Sequence, residues 1–131
     1  MRLSSSFITL LYNAVFLPLA EAAFFVGSFI NVKLAQRVRG IADSWDTLRT
    51  LPKATGPRVW FHAASMGEFE QAKSVIESLK EQCPEAQIVV SFFSPSGYEN
   101  QKHYSFAHAV VYLPLDSRRT MPRFVSLMNA D

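Results

Sequence analysis

Trp60-Phe61-His62-Ala63-Ala64-Ser65-Met66-Gly67-Glu68-Phe69-Glu70 packs three kinds of sequence into one short stretch. The apolar run Val59 to Phe61 has the character of a strand. The small residues from Ala63 to Gly67 suit a tight turn. Glu68 then stands at the mouth of an amphipathic pattern that runs on to Gln82. A strand, a turn and a helix N-terminus in that order predict an α/β fold, with any ligand at the turn edge of the sheet.

The pattern repeats on either side. Phe69, Ala72, Ile76 and Leu79 recur at steps of three and four, which predicts a helix over 68–82 with those residues inward. Glu70, Lys73, Glu77 and Lys80 take the outer face, where Lys73 and Glu77 stand at the i,i+4 pairing distance. Gln87 to Phe93 is a continuous apolar run, as expected of a strand covered on both faces. Ser94-Pro95-Ser96-Gly97 turns the chain toward a short polar helix near Tyr98 to Tyr104. Ala109 to Leu113 predicts a third strand, and Asp116 to Met128 a helix with Phe124, Leu127 and Met128 inward.

The order β-α-β-α-β-α suits right-handed crossovers and a partial, Rossmann-like parallel sheet. The turns 63–67, 94–97 and 114–116 then share one edge of that sheet and line a common cleft. A sheet of this size leaves an open edge and incomplete cover over apolar strands. The chain therefore reads as the leading piece of a larger fold.

Upstream, residues 1–39 read as a membrane-associated helix with a basic flank, 40–57 as a connector with a short helix around Trp45 to Leu51, and 58–131 as an incomplete α/β domain. Phe7 to Ile30 is long enough to span a bilayer, which needs roughly 20 apolar residues. Glu21 lies past its middle, where a charge costs about 2.5–3.5 kcal/mol on insertion scales. Asn13 adds a polar group, and Pro18 is expected to kink a helix. A half-inserted helix thus competes with a full span. Lys33, Arg37 and Arg39 follow while only Arg2 precedes, which predicts a cytoplasmic location for everything after residue 31. Two other readings stay open: a signal peptide, with Ala20-Glu21-Ala22 as a small-x-small site, and a buried core helix.

Composition narrows the function. A net charge of +2 without a Lys/Arg-rich run gives no support to nucleic-acid binding. The single cysteine, Cys83, excludes an internal disulfide and reads as a packing residue. No cysteine/histidine cluster suggests zinc, so no metal is expected. Neither the dinucleotide-binding G-x-G-x-x-G nor the P-loop pattern is present, and no cofactor is implied.

Glu68 carries the chemistry and has two readings. Ser65-Met66-Gly67-Glu68 is the capping-box pattern, with Ser65 capping the helix and Glu68 reaching back to the Ser65 N–H. Alternatively, Glu68 is a general base that takes a proton from an attacking hydroxyl, and Gly67 lets a substrate approach the backbone. Ser94, Ser96 and Gly97 lie in a turn before a helix, which serves either as an ordinary turn or as an anion site built from N–H groups. His62, at a strand end, reads as a structural residue before a catalytic one. His103 and His108 read as surface residues. Arg118, Arg119 and Arg123 form a basic face that is either solvated or turned to lipid phosphates.

Three stretches in this order resemble the N-terminal portion of 3-deoxy-D-manno-octulosonic acid (Kdo) transferases of Gram-negative bacteria: Trp60 to Gln71, Ser91 to Glu99, and Val111 to Asp116. The resemblance covers roughly residues 58–131; over 1–57 only the apolar anchor is similar in character. It implies a membrane-associated, inverting glycosyltransferase of the two-domain GT-B type that needs no metal. Such enzymes transfer Kdo from CMP-Kdo to a lipid A precursor in lipopolysaccharide inner-core biosynthesis, at the cytoplasmic face of the inner membrane. The family's N-terminal domain binds the acceptor, which assigns Ser65, Gly67, Ser94, Ser96 and Gly97 to acceptor binding and Glu68 to catalysis as general base. The family's donor-binding half does not appear in these residues, so the chain alone is expected to be inactive. The alternatives are a non-catalytic membrane-anchored interaction module or relic, and another GT-B glycosyltransferase.

Overall fold

The computed structural model describes residues 5–131. In chain order the elements are α1 (Ser5–Leu11), a π-helical turn (Tyr12–Phe16), α2 (Leu17–Gly27), α3 (Val32–Thr50), β1 (Arg58–Ala63), α4 (Met66–Gln82), β2 (Gln87–Phe92), α5 (Pro95–Gln101), β3 (Ala109–Tyr112) and α6 (Thr120–Met128). The expected alternation of strand and helix from residue 58 onward is present. The strands form one parallel three-stranded sheet in the order β1-β2-β3. His62 stands opposite Ser91, and Phe92 opposite Tyr112.

Every residue of β2 is buried, which is why it reads as an unbroken apolar run. Ile88, Val90 and Phe92 pack with Phe69, Ile76 and Ala63 on one face. Val89 packs on the other with Val111, Phe124, Met128 and Leu48. The inward residues expected on α4 and α6 are thus the ones that build the core. Lys73 departs from expectation: its ammonium bonds Glu70 at 2.7 Å, while Glu77 accepts from the Tyr104 hydroxyl at 3.5 Å. The last helix begins at Thr120, not Asp116. Ser117 and Thr120 cross-bond there in a tight turn, in which Thr120 N–H donates to Ser117 Oγ at 3.0 Å and Thr120 Oγ1 to Leu115 O at 2.6 Å.

The largest correction is α3. The stretch 40–57, expected to be a connector, is helical as far as Thr50, and the irregular part is only 51–57. Its buried positions are Arg37, Gly40, Ser44 and Leu48, spaced by three and four but chemically unlike one another. Each has a contact that explains it. A Cβ on Gly40 would lie 2.2 Å from the Tyr112 ring, so only glycine lets the helix approach β3 this closely. Ser44 Oγ accepts the Tyr112 N–H at 2.8 Å and donates to Gly40 O at 2.5 Å. Alternate N–H groups of a strand point to opposite sides, and Leu113 N–H faces β2 through its bond to Phe92 O; the Tyr112 N–H therefore faces outward. α3 thus closes the β3 edge that the sequence alone left open. Pro52 follows the helix end, as the restriction on the residue before proline favours.

Two buried arginines pin the sheet at its two ends. Arg58, at the amino edge, donates to Met128 O at 3.0 Å, to Pro52 O at 2.9 Å and to Gln87 Oε1. Arg37, 2% exposed, donates to Phe93 O and, at 3.0 Å, to Leu113 O at the carboxyl edge. Its guanidinium lies 4.0 Å from the Phe93 ring centroid and 5.7 Å from those of Phe24 and Tyr112. Burial lowers the Arg37 pKa from its ordinary value, and the Tyr112 hydroxyl acts in the opposite sense. Burial is also the main reason that the Tyr112 hydroxyl is pushed far up; it has no hydrogen-bond partner among the described residues.

At the N-terminus, the helical run Ser6–Gly27 is long and apolar enough to cross a membrane, with mean hydropathy 1.6, and is little buried among the described residues. Pro18 does not break it. The π turn directly before α2 widens the backbone where proline withholds its N–H, and Pro18 sits in the first turn of α2, where that donor is not needed.

Replacing Arg37 by lysine removes a planar fork that bridges two carbonyls. Arg37→Lys should cost about 1.5–3 kcal/mol, the range for a hydrogen bond to a charged group, read from chemical denaturation in detergent; unchanged stability would show the bridge to be dispensable. His108 is exposed, as expected of a surface residue, and accepts the Ile88 N–H on Nδ1 at 3.1 Å. Its pKa is lowered from 6.5, first by burial and then by Lys80. The unfolded chain then binds the proton more readily, so stability should be full above about pH 7 and fall as pH drops through the ordinary histidine range. Denaturation midpoints measured over that range should slope less in His108→Gln, and an equal slope in both proteins would refute the assignment.

Candidate functional site

The carboxyl edge of the sheet gathers the turns expected to carry the chemistry. Ser65 is the N-cap of α4, with φ −138° and ψ 168°, and its Oγ accepts the Glu68 N–H at 3.4 Å. The Glu68 carboxylate reaches back along the chain as a capping box does, but to a different amide: Oε2 accepts the Ala64 N–H at 2.6 Å, not that of Ser65. The turn from β1 enters the helix such that the Ala64 amide, one residue earlier, faces the carboxylate. Glu68 remains exposed.

The Ala64 peptide is held from its other side too. Its carbonyl accepts the Ser94 N–H at 3.1 Å, and Ala63 O accepts the Phe93 N–H at 3.4 Å. These bonds bring the first two turns together. Ser94 Oγ and Ser96 Oγ lie 2.8 Å apart beside this junction. Gly67 is exposed, and a Cβ there would meet nothing nearer than Ser65 Oγ at 4.0 Å, so the space beside Glu68 is open. Gly97 differs. It is buried, and a Cβ there would lie 2.4 Å from the Phe92 ring, so packing against β2 already requires glycine at this position. α5 offers its first-turn amides beside Ser94, whose side chain caps none of them.

The third turn is joined to the edge by Arg37 and by the Leu113 N–H on Phe92 O at 2.8 Å. Its Pro114 and Leu115 lie toward the N-terminal helix. There they line a hollow of about 340 Å³ with Phe24, Phe25 and Glu21. Of the three turns expected to share one cleft, the first two are joined by backbone hydrogen bonds, and the third lines a separate hollow against the N-terminal helix.

Two features were not visible as site residues in the sequence. Arg37 stood among the basic residues after the apolar segment and gave no separate signal. His62, Ser91 and Trp60 form a polar chain on the face opposite α4. Trp60 Nε1 donates to Ser91 Oγ at 2.8 Å, and Ser91 Oγ lies 2.9 Å from His62 Nδ1. The serine oxygen accepts from the indole and can either accept from or donate to Nδ1. His62 itself is exposed at the carboxyl end of β1. Ser91, inside an apolar run, gave little sign of this polar chain. Among the described residues no three His, Cys, Asp or Glu side chains come together as a metal site.

No solved structure matches the chain. The 3-deoxy-D-manno-octulosonic acid transferase of Chlamydia muridarum is 38% identical over 66 residues, covering 49% of this chain and 15% of that protein. Its counterpart in Chlamydia trachomatis serovar D is 34% identical over 80 residues, or 56% and 19%. That of Haemophilus influenzae is 33% identical over 72 residues, or 53% and 17%. The chain thus spans less than a fifth of the length of these relatives in the matched regions. The family model described as 3-deoxy-D-manno-octulosonic-acid transferase (kdotransferase) matches residues 33–131, which take in α3 as well as the α/β layer, and the chain belongs to that family.

Proposed function

We propose that this chain forms the acceptor-side part of a GT-B glycosyltransferase that moves Kdo from CMP-Kdo to a lipid A precursor at the cytoplasmic face of the inner membrane. Family membership supports the transfer of Kdo. The observation that carries the residue assignment is the exposed Glu68 carboxylate, fixed by the Ala64 N–H at the carboxyl end of β1. One oxygen is engaged by the backbone, and the other is the one offered to an acceptor.

In the proposed reaction the acceptor hydroxyl gives its proton to Glu68 as its oxygen attacks the anomeric carbon of Kdo. The bond from that carbon to the CMP phosphate oxygen breaks, and CMP leaves with the electron pair. Attack from the face opposite the leaving group inverts the configuration. Ser65, Ser94 and Ser96 supply hydroxyls, and the open space at Gly67 admits the sugar. Gly97 contributes by holding α5 against Phe92. Residues 1–39 serve as the membrane anchor, and 58–131 as the acceptor-binding layer.

The test is Glu68→Gln in the full gene product, expressed in a host lacking its own Kdo transferase. The amide still accepts the Ala64 N–H but takes no proton. Turnover should fall by about 10²–10⁴, with a change in thermal midpoint no larger than a lost cap produces, about 0.5–2 kcal/mol. Transfer at the parental rate would reduce Glu68 to a helix cap and favour a non-catalytic role for the residue. Transfer of a different sugar from a panel of nucleotide donors would replace Kdo as the substrate.

A further inference from the structure

The N-terminal helix is laid along the α/β layer instead of standing away from it. Asn13 Oδ1 accepts the Arg118 N–H at 3.0 Å. A hollow of about 450 Å³ is lined by Leu10, Leu17 and Glu21 from the helix and by Ser117, Arg118 and Arg119 from the loop before α6. Farther along, Phe24 and Phe25 border the hollow shared with Pro114 and Leu115. The helix therefore faces the layer from Asn13 nearly to its end, with a direct bond at Asn13 and two hollows between.

That placement bears on how the helix meets lipid. The run Ser6–Gly27 has 22 residues, about 33 Å at 1.5 Å per residue, close to the roughly 30 Å of a hydrocarbon core. If it crossed the bilayer, Asn13 to Glu21 would sit at middle depth. Arg118, Arg119 and the exposed Asp116 would be drawn into hydrocarbon with them, along with irregular backbone that lipid cannot hydrogen-bond. Exposed apolar side chains lie on several sides of the helix: Leu10 and Phe25 as well as Ile8, Val15, Leu19 and Val26 are 46–64% exposed, the last four on the side away from the layer. Glu21 lies on the protein side, where its carboxylate does not have to enter lipid. The exposed cations Lys33, Arg39, Arg118 and Arg119 flank the helix, in the arrangement that complements an anionic surface.

We propose that α1–α2 lies in the plane of one leaflet of an anionic phospholipid bilayer, with Ile8, Val15, Leu19 and Val26 among the acyl chains and Arg118 and Arg119 at the level of the phosphates. This rests on the membrane-bound reading given under Proposed function. It turns the carboxyl edge of the sheet toward the same interface, since the loop holding the arginines follows β3 directly.

Depth measurements decide it. Nitroxide labels are placed on Ile8→Cys, Val15→Cys and Val26→Cys of the full chain with Cys83→Ser, bound to vesicles of phosphatidylethanolamine and phosphatidylglycerol. An in-plane helix puts all three labels at one shallow depth, within about 5–10 Å of the headgroup boundary. A deep Val15 with Ile8 and Val26 shallow in opposite leaflets would overturn the proposal and leave membrane binding intact. Failure to bind vesicles of any composition would overturn both. Arg118→Gln with Arg119→Gln should lower binding to the anionic vesicles about tenfold or more and leave binding to phosphatidylcholine vesicles unchanged; equal binding by parent and variant on anionic vesicles would remove the arginines from the headgroup level.

Discussion

The Arg37 guanidinium brings three parts of this chain to one point. It donates to the carbonyls of Phe93 and Leu113, which follow β2 and β3, and it lies against rings from α2, from β3 and from the turn after β2. A buried cation without a carboxylate is costly unless its donors are met. The carboxyl ends of parallel strands supply carbonyls with no further strand residue to accept, and Arg37 uses two of them. Arg58 repeats the solution at the other edge, with carbonyls from the connector and from the end of α6. The sheet is thus bounded at both ends by cations that bond backbone carbonyls, Arg58 adding the Gln87 side-chain oxygen.

This explains why α3 belongs to the α/β layer and is more than a tether for the membrane helix. Its buried face is built for approach: a glycine under the Tyr112 ring, a serine on the Tyr112 amide and an arginine over the strand ends. Together these complete the outer edge of β3. They also fix the direction from which α2 arrives, because Phe24 meets the same guanidinium. The geometry that lays the apolar helix beside the sheet is set here.

The same residues show where sequence reading succeeds and where it stops. The strands and α4 were legible because their buried positions are apolar at a regular period, as in Ile88, Val90 and Phe92 or Phe69 and Ile76. The turns at the carboxyl edge were legible from their Gly, Pro and Ser content, and two of the three do meet. α3 beyond Gly40 was read as connector because its buried positions are Gly40, Ser44 and Leu48, which no hydrophobic period would pick out, and because Gly, Ser, Asp and Thr are weak helix formers. Tertiary contact overrides that local preference. The Trp60–Ser91–His62 chain was hidden for a related reason: a serine within Ile88 to Phe93 has meaning only once the register sets it opposite His62. Gly97 was placed at the right edge but for another cause, since its lack of a side chain answers to Phe92.

The two readings of Glu68, cap and base, are compatible in physical terms. A capping carboxylate in an ordinary turn gains little definition, because the amide it accepts from is itself free to move. Here that amide belongs to Ala64, whose carbonyl is tied to Ser94 in the neighbouring turn. Ser94 is followed by Pro95 and by the packed Gly97, so the second turn is itself constrained. The capping bond therefore transmits the rigidity of two strand ends to one carboxylate oxygen and leaves the other oxygen directed by it. A group positioned this way spends no further ordering to meet a hydroxyl, which is what a general base requires. A helix cap that joins two turns is a reasonable origin for a catalytic acid-base group, and the cap does not have to be lost for the second role to be gained.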